Sequence, residues 1–429
     1  MKLMSEITIN VKKGFLPHLT NELYKRNCEV QSVKMMESEG DFDLFHLDVV
    51  YSGLEVLQEF VRKIEKHSEN FKIRSVKNVM EDAITGGLLR VSGKMTIETE
   101  ADYELRVLGA SELIQSKIKQ GLKGREYVGI SRNVGIIQGV KNREERDIPA
   151  LFGNYVQEEK DAAVISRFCG LNPYPLLIGF DHIEDFIRTL QRLEQTFTLI
   201  RIAGIDDVFE AVQFEQLYSS LDTPILSRSY DEIPLLLLTA VLTLTGKSRG
   251  GISDCNVGLI GIDVPSQRLT KLLLSMGFAR ILGYDHNEKI MMSFEKEGGL
   301  ATTPDNILSN TDIILLLKRQ YTEEEFNKIR PGQMIISLLG EDEVDEKIVQ
   351  ERGVKRIITR DQMDETVLLP GLVNAMISAG LRFLDDDRII TVARMVAGLQ
   401  QGGDVLPSLF SDLHERIRES LSEPFSARK

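Results

Sequence analysis

Apolar positions recur along residues 6–79 with two different periods, and each change of period marks a new element. ITINV alternates as a strand does, residues 16–26 carry apolar side chains at helical spacing, and EVQSVKMM and FDLFHLDVV alternate again on either side of a turn at Gly40. Residues 54–67 form an amphipathic helix and FKIRSVKNV closes the set. The order β-α-β-β-α-β in so short a span predicts a ferredoxin-like sandwich. A glycine-containing hinge follows at Thr85, Gly86 and Gly87, and then a mixed region over residues 88–245 that ends in a mostly apolar helix, 235–244, and the turn Thr245, Gly246, Lys247. Beyond it, strand candidates at 312–317, 334–339 and 355–359 alternate with helices, which predicts a parallel sheet. Helices over 371–384 and 388–401 and a charged terminal helix around 413–421 complete the chain.

Residues 256–288 are the most informative stretch. They read strand (Val257, Leu259, Ile260), glycine turn (Gly261), helix (Leu269, Leu272, Leu273, Met276) and strand (Ile281, Leu282), ending on Asp285. That is the layout of a dinucleotide-binding βαβ unit, with Asp285 where a carboxylate would meet a ribose hydroxyl. The turn itself departs from G-x-G-x-x-G, because Asp263 stands where the second glycine lets backbone approach a pyrophosphate, and Ser266 stands where the third lets helix and strand pack closely. Asp263 is also well placed to cap the helix, so its carboxylate would compete with a pyrophosphate for the positive N-terminus. Gly261, Asp263, Ser266 and Asp285 are therefore the candidate cofactor-binding positions, and the expected NAD binding is weak.

At 429 residues the chain exceeds what one core holds, so two or three domains are expected. The net charge of -13 argues against nucleic acid or an anionic membrane as partner. Cys28, Cys169 and Cys255 lie far apart and form no C-x-x-C pair, so neither a disulfide framework nor a zinc knuckle is indicated, and a reducing cytoplasm fits. No signal peptide is expected, and the apolar run 233–244 is too short to span a bilayer. His182 and His286 stand alone, so a histidine metal site is not expected, although His286 follows Asp285 at the strand end where ligands bind in such sheets. Arg132 and Arg167 could grip a carboxylate, and residues 141–146, KNREER, read as an exposed charged turn.

The N-terminal element order and the Gly14 turn resemble ACT domains, which usually bind amino acids or other small effectors across a dimer interface. The chain departs from them at Lys12 and Lys13, where an acid and a proline often stand. Residues 88–401 resemble the malic enzymes, in the small bacterial form that some members fuse behind an ACT domain. KMTIETEADYEL (94–105) is similar to the segment leading to that family's catalytic tyrosine, and RFCGLNPYP (167–175) to the "RFAGIDAFP" stretch after its catalytic lysine. Thr196 and Phe197 resemble the "TF" before its metal-binding acids, LTGK (244–247) sits where it enters its Rossmann domain, and LPGL (369–372) resembles "FPGI".

The resemblance implies three parts: an ACT-like regulatory or dimerisation domain over 1–82, a malic-enzyme N-terminal-like α/β domain over 83–245, and a Rossmann-like, doubly wound parallel sheet with C-terminal helices over 246–429. It also implies chemistry in which a lysine takes the malate hydroxyl proton, a divalent ion polarises the C2 oxygen and a tyrosine protonates the enolate. Here the tyrosine position falls at or near Val107, and the lysine position on Asp161 with Lys160 one residue away. The metal pair falls on Ala203 and Gly204, and the segment with the third acid is Arg228 to Ile233, which leaves Asp231 as one carboxylate; the asparagine pair becomes Glu365 and Thr366. One carboxylate does not hold Mg²⁺ or Mn²⁺ usefully, so no metal ligand is assigned and a divalent metal is not expected. Lys160 is the candidate catalytic residue of a shifted site, which Asp206, Asp207 and Asp231 could complete.

The expected function is that of a malic-enzyme-like homodimer with degenerate catalytic and metal sites, acting by binding NAD, a small-molecule effector or a protein partner. The alternative is a working NAD-dependent malate (decarboxylating) or related hydroxy-acid oxidoreductase with a relocated active site. DIILLLKRQYTEEEFNKIRPGQMIISL is similar to the hydroxy-acid dehydrogenases, but no His or Arg signature of their active site follows. A third expectation is a sensor in which the ACT-like and nucleotide-type parts report metabolite state.

Overall fold

The structure, a computed structural model, describes residues 2–66, 69–79, 87, 99–120, 130–141, 148–205, 211–246, 252–318, 327–339, 351–399 and 405–422. The chain divides into two compact units, Met1–Lys94 and Met95–Lys429.

In the first unit the elements run β1 (Leu3–Lys12), α1 (Leu16–Tyr24), β2 (Glu29–Glu39), β3 (Phe42–Tyr51), α2 (Leu54–Glu65) and β4 (Phe71–Asn78), with sheet order β2-β3-β1-β4 and antiparallel pairing along β1 and β3. This is the ferredoxin-like arrangement. On β1 the odd positions Ile7, Ile9 and Val11 are buried against Leu19, Leu23, Phe60 and Ile64, while the even positions face the other side of the sheet. Buried among the helices, Glu22 accepts from Lys63, Arg26 and Lys25, and these cations hold its carboxyl down at about 2.

The second unit begins, among its described residues, with a helical turn Glu100–Asp102 capped by Thr99, which continues through a π-helical stretch Tyr103–Leu108 into α3 (Gly109–Lys119). It then builds two parallel sheets. The first takes β5 (Asn133–Lys141), α4 (Ile148–Cys169), β6 (Asn172–Phe180), α5 (Ile183–Leu193), β7 (Leu199–Ala203), α6 (Ala211–Ser220) and β8 (Ile225–Ser227), in strand order β6-β5-β7-β8. The apolar helix α7 (Ile233–Thr245) leads on; Thr239 and Thr243 satisfy their buried hydroxyls by donating to the carbonyls of Leu235 and Thr239 one turn back.

The second sheet comprises β9 (Asn256–Ile260), α8 (Val264–Ser275), β10 (Arg280–Tyr284), α9 (Glu288–Lys296), β11 (Leu300–Ala301), α10 (Pro304–Asn310), β12 (Ile313–Leu316), β13 (Met334–Ser337) and β14 (Arg356–Ile358). Its order, β11-β10-β9-β12-β13-β14, is that of a doubly wound Rossmann-like sheet with the switch point between β9 and β12. β9, β12 and β13 are buried on both faces, which is why their sequence is continuously apolar rather than alternating.

The C-terminal helices are α11 (Leu369–Ala379), α12 (Asp386–Gly398) and α13 (Leu413–Ser422); α11 packs on α4 and α13, and α12 on α7. The apolar pattern suggested helices over 371–384 and 388–401. The first stops at Ala379 because Gly380 turns left-handed (φ +63°) and closes the helix. The second starts earlier because the Asp385 side chain caps it, accepting from Arg388 N at 2.9 Å. Thr85, Gly86, Lys247 and residues 142–146 lie outside the described residues. No described helix is long and apolar enough to cross a membrane.

Candidate functional site

A charged residue at the centre of an apolar strand organises the middle of the second unit. Arg201 lies in β7, LIRIA, where every residue is buried. Its Nε and Nη2 donate to the two oxygens of Glu232 at 2.7 and 2.9 Å, and its Nη1 donates to Glu158 Oε2 at 2.7 Å. Its Nη2 also lies 3.0 Å from Asp161 Oδ2 in an ion-pair contact without hydrogen-bond geometry. Glu158 and Asp161 stand three apart on α4, so one turn of helix presents both carboxylates to the same guanidinium. Asp161 Oδ1 accepts from Thr366 Oγ1 at 2.8 Å and Gln157 Nε2 at 3.1 Å, whereas Glu158 Oε1 and Asp161 Oδ2 are buried without a hydrogen bond.

Three buried acids around one buried cation leave an excess of negative charge away from water, so protons must be held there. Desolvation pushes Glu232 up to about 7 although Arg201 opposes the shift, and it raises Glu158 for the same reason. Burial works against the charge of Arg201, but Glu232, Asp161 and Glu158 outweigh it and keep the guanidinium protonated. Beside this cluster Arg228 ion-pairs with Glu365; burial opposes the Glu365 charge, and Arg228 overcomes it, holding the carboxyl below its usual range.

The positions that the malic-enzyme resemblance marks for metal are filled differently. Ala203 is 1% exposed and offers no ligand. Gly204 is left-handed (φ +72°), and a Cβ there would stand 1.7 Å from Gln138 Nε2 and 2.7 Å from Gly139 O, so no side chain is accommodated without rearrangement. Asp231 is fully buried and committed: its Oδ2 accepts from Tyr218 Oη and Ser227 N, both at 2.7 Å, and its Oδ1 from Arg268 at 2.5 Å. A hard divalent ion needs several free oxygens. These residues do not fit one. Asp206 and Asp207 lie outside the described residues.

Lys160, one residue from the lysine position, is half-exposed, and its Nζ donates to both oxygens of Asp364 at 2.9 and 3.0 Å. Burial disfavours the Asp364 charge, yet Lys160 and Thr366 prevail and hold its carboxyl below the usual range. Val107, at the tyrosine position, is partly buried within the π-helical stretch.

At the end of β9, Gly261 takes φ +84°, and a Cβ there would meet Lys318 N at 2.7 Å, so the glycine is demanded by the chain leaving β12. Asp263 caps α8: its Oδ1 accepts from Ser266 N at 3.0 Å while its own N donates to Ser266 Oγ at 2.6 Å. Two backbone donors of the turn, Asp263 N and Ser266 N, are thereby satisfied within the protein. The first turns of α8 are also covered, with Ser266, Gln267 and Arg268 buried and Val264 packed in the core of the first parallel sheet beside Phe214 and Tyr218. Asp285 Oδ1 accepts from Asn287 N at 2.8 Å, and His286 beside it is 92% exposed. The turn as it stands fits a dinucleotide poorly. Exposed positions elsewhere include Arg167 and His182.

Sequence reasoning singled out neither Arg201 nor Glu158 nor Arg268. An arginine inside LIRIA was the available signal, since an unpaired charge is not tolerated in a strand buried on both faces.

The two parallel sheets define an α/β protein whose second sheet is Rossmann-like. No family model matches the chain. It is similar to NAD-dependent malic enzyme 1 of Bacillus subtilis (strain 168), 22% identical over 91% of this chain and 89% of that protein. The NAD-dependent malic enzyme of Geobacillus stearothermophilus is 20% identical over 88% and 84% of the two chains. Among solved structures, the malic enzyme of Entamoeba histolytica superposes with a TM-score of 0.68 at 14% identity, over 80% of this chain and 79% of that one. Over most of its length the chain is thus similar to malic enzymes at low sequence identity, and it shares their fold.

Proposed function

We propose that this protein keeps the malic-enzyme fold but not metal-dependent malate decarboxylation, and that it works by binding a small molecule or a protein partner. The observation that carries this reading is the guanidinium of Arg201 held by Glu158, Asp161 and Glu232. A side-chain cation that cannot dissociate stands between the carboxylates and offsets part of their charge, while Ala203 and Gly204 provide no place for an exchangeable ion. The acid at Asp161 and the absence of a phenol at Val107 remove the base and the acid of the family's reaction as well. Weak NAD binding belongs to the same reading, because Asp263 occupies the helix terminus. So does a homodimer in which the first unit acts as an ACT-like effector or pairing module, a role its ferredoxin-like topology supports.

A second reading is favoured by one observation. Lys160 lies one residue from the lysine position and is 41% exposed, so a relocated NAD-dependent oxidoreductase site would use it as base. The purified protein with malate, NAD and Mn²⁺ separates the two. No NADH formation is expected, and turnover above background would overturn the first reading. Calorimetry with NAD, NADP, malate and Mn²⁺ then identifies what is bound.

A further inference from the structure

The side of the first unit's sheet away from its helices carries a second, independent constellation. Glu6 on β1 is directly opposite Asp48 on β3 in the antiparallel register, and His46 lies two residues from Asp48 on the same strand, paired with Thr8. Strand alternation therefore puts Glu6, His46 and Asp48 on one face, and one ligand atom from each lies within 4.8 Å of the others. We propose that these three side chains form a binding site for a divalent transition ion of the Zn²⁺ class.

Two carboxylates placed directly across a strand pair repel each other unless a cation lies between them. The lysines on this face are Lys77, opposite Glu6 on β4, and Lys34, opposite His46 on β2, but no ion pair joins either to Glu6, and among the described residues the Glu6 carboxylate has neither a hydrogen bond nor an ion-pair partner. The other two ligands are already oriented by groups outside the trio. Asp48 Oδ2 accepts from Ser32 Oγ at 2.5 Å, which leaves Oδ1 facing His46 Nε2 at 3.6 Å. His46 Nδ1 is 3.4 Å from Thr8 Oγ1; with Nδ1–H donating to that oxygen, Nε2 presents its lone pair beside Asp48 Oδ1 and Glu6. Outer partners of this kind fix the tautomer and ring angle that metal sites require. One imidazole with two carboxylates suits Zn²⁺, Mn²⁺ or Fe²⁺ better than the all-oxygen ions Ca²⁺ and Mg²⁺. The side chains of His46 and Asp48 are 30% and 24% exposed, so an ion has access and keeps open positions for water or an exogenous anion.

The test is calorimetric titration of the full-length protein with Zn²⁺ at neutral pH, alongside His46→Ala, Glu6→Gln and Thr8→Val variants, each checked for wild-type far-UV circular dichroism. Saturable binding at one ion per chain is expected, weakened at least about tenfold by His46→Ala and Glu6→Gln, and about tenfold by Thr8→Val through loss of the outer hydrogen bond. Nitrogen-15 NMR of the histidine rings should show His46 Nε2 metal-bound, a readout that does not depend on the variants folding. The proposal is overturned if no Zn²⁺ binds, if affinity is the same in His46→Ala and wild type, or if the His46 ring is unchanged at saturation.

Discussion

Arg268 Nη1 lies 2.5 Å from Asp231 Oδ1, joining a helix of the doubly wound sheet to the turn after the last strand of the other sheet. The same guanidinium donates to the carbonyls of Tyr230 and Leu384, reaches Asp386 Oδ1 at 3.2 Å and stacks 4.3 Å over the Tyr230 ring. One residue of α8 thus fastens its helix to the turn at Tyr230 and Asp231 and to the segment from Leu384 to Asp386.

Removing that fastener should be costly. Arg268→Ala is expected to destabilise the second unit by roughly 3–5 kcal/mol, because it leaves Asp231 buried and uncompensated. Arg268→Lys should recover only part, since a point charge cannot reproduce the fork and the stacking. Chemical denaturation of both variants checks this, and equal stability of Arg268→Ala and wild type would sink it.

The Arg201 cluster predicts an unusual pH response. Glu232 titrates at about 7 in the folded chain against an ordinary 4.5, so between these values the folded state holds a proton that the unfolded state has released. Stability contributed by this group is full below about 4.5, declines as pH rises toward 7 and is level above it, a loss of roughly 3 kcal/mol at most. Thermal melts across that range should show the decline, and Glu232→Gln should flatten it. A Glu232→Gln protein with the wild-type slope would refute the assignment.

Nucleotide binding should be limited by the cap of α8. Asp263→Gly with Ser266→Gly removes the competing carboxylate and opens the turn, and NAD affinity should rise in a fluorescence titration of the folded double variant. If a dinucleotide binds, Asp285 should favour NAD over NADP, since a carboxylate accepts a 2′-hydroxyl and repels a 2′-phosphate. Unaltered affinity would mean that pyrophosphate is not excluded at this turn.

Lys160→Ala discriminates between the two functional readings. With Lys160 serving only to pair Asp364, the variant loses about 1 kcal/mol or less from a half-exposed ion pair and changes no malate turnover. A rate that is present in the wild type and lost in Lys160→Ala would make it the base of a relocated site.

The layout of strands and helices was legible in the sequence because each unit announces its environment by periodicity. β1 alternates because one face is covered, and β9, β12 and β13 do not because both are. The turn at 261–266 was legible for the same local reason: a capping box is a four-residue event, and Asp263 and Ser266 are close enough in sequence to specify it. Helix ends were less so, as Gly380 and Asp385 show, because a left-handed glycine or a cap interrupts a periodicity that the apolar residues alone would continue.

The charge cluster was decided only by tertiary structure. Glu158, Arg201, Glu232 and Thr366 come from four separated segments, and nothing local to any of them names the others. The resemblance in the sequence puts the lysine position on Asp161, the tyrosine position at or near Val107, and the metal pair on Ala203 and Gly204. What it left open was whether neighbours restore the lost groups, since Lys160 and Asp231 are plausible replacements until their partners are known. Folding commits Lys160 to Asp364, Asp231 to Arg268 and Tyr218, and Asp161 to Arg201. A buried charge takes the nearest complementary partner that the packing of distant segments supplies, and that choice is a property of the folded chain.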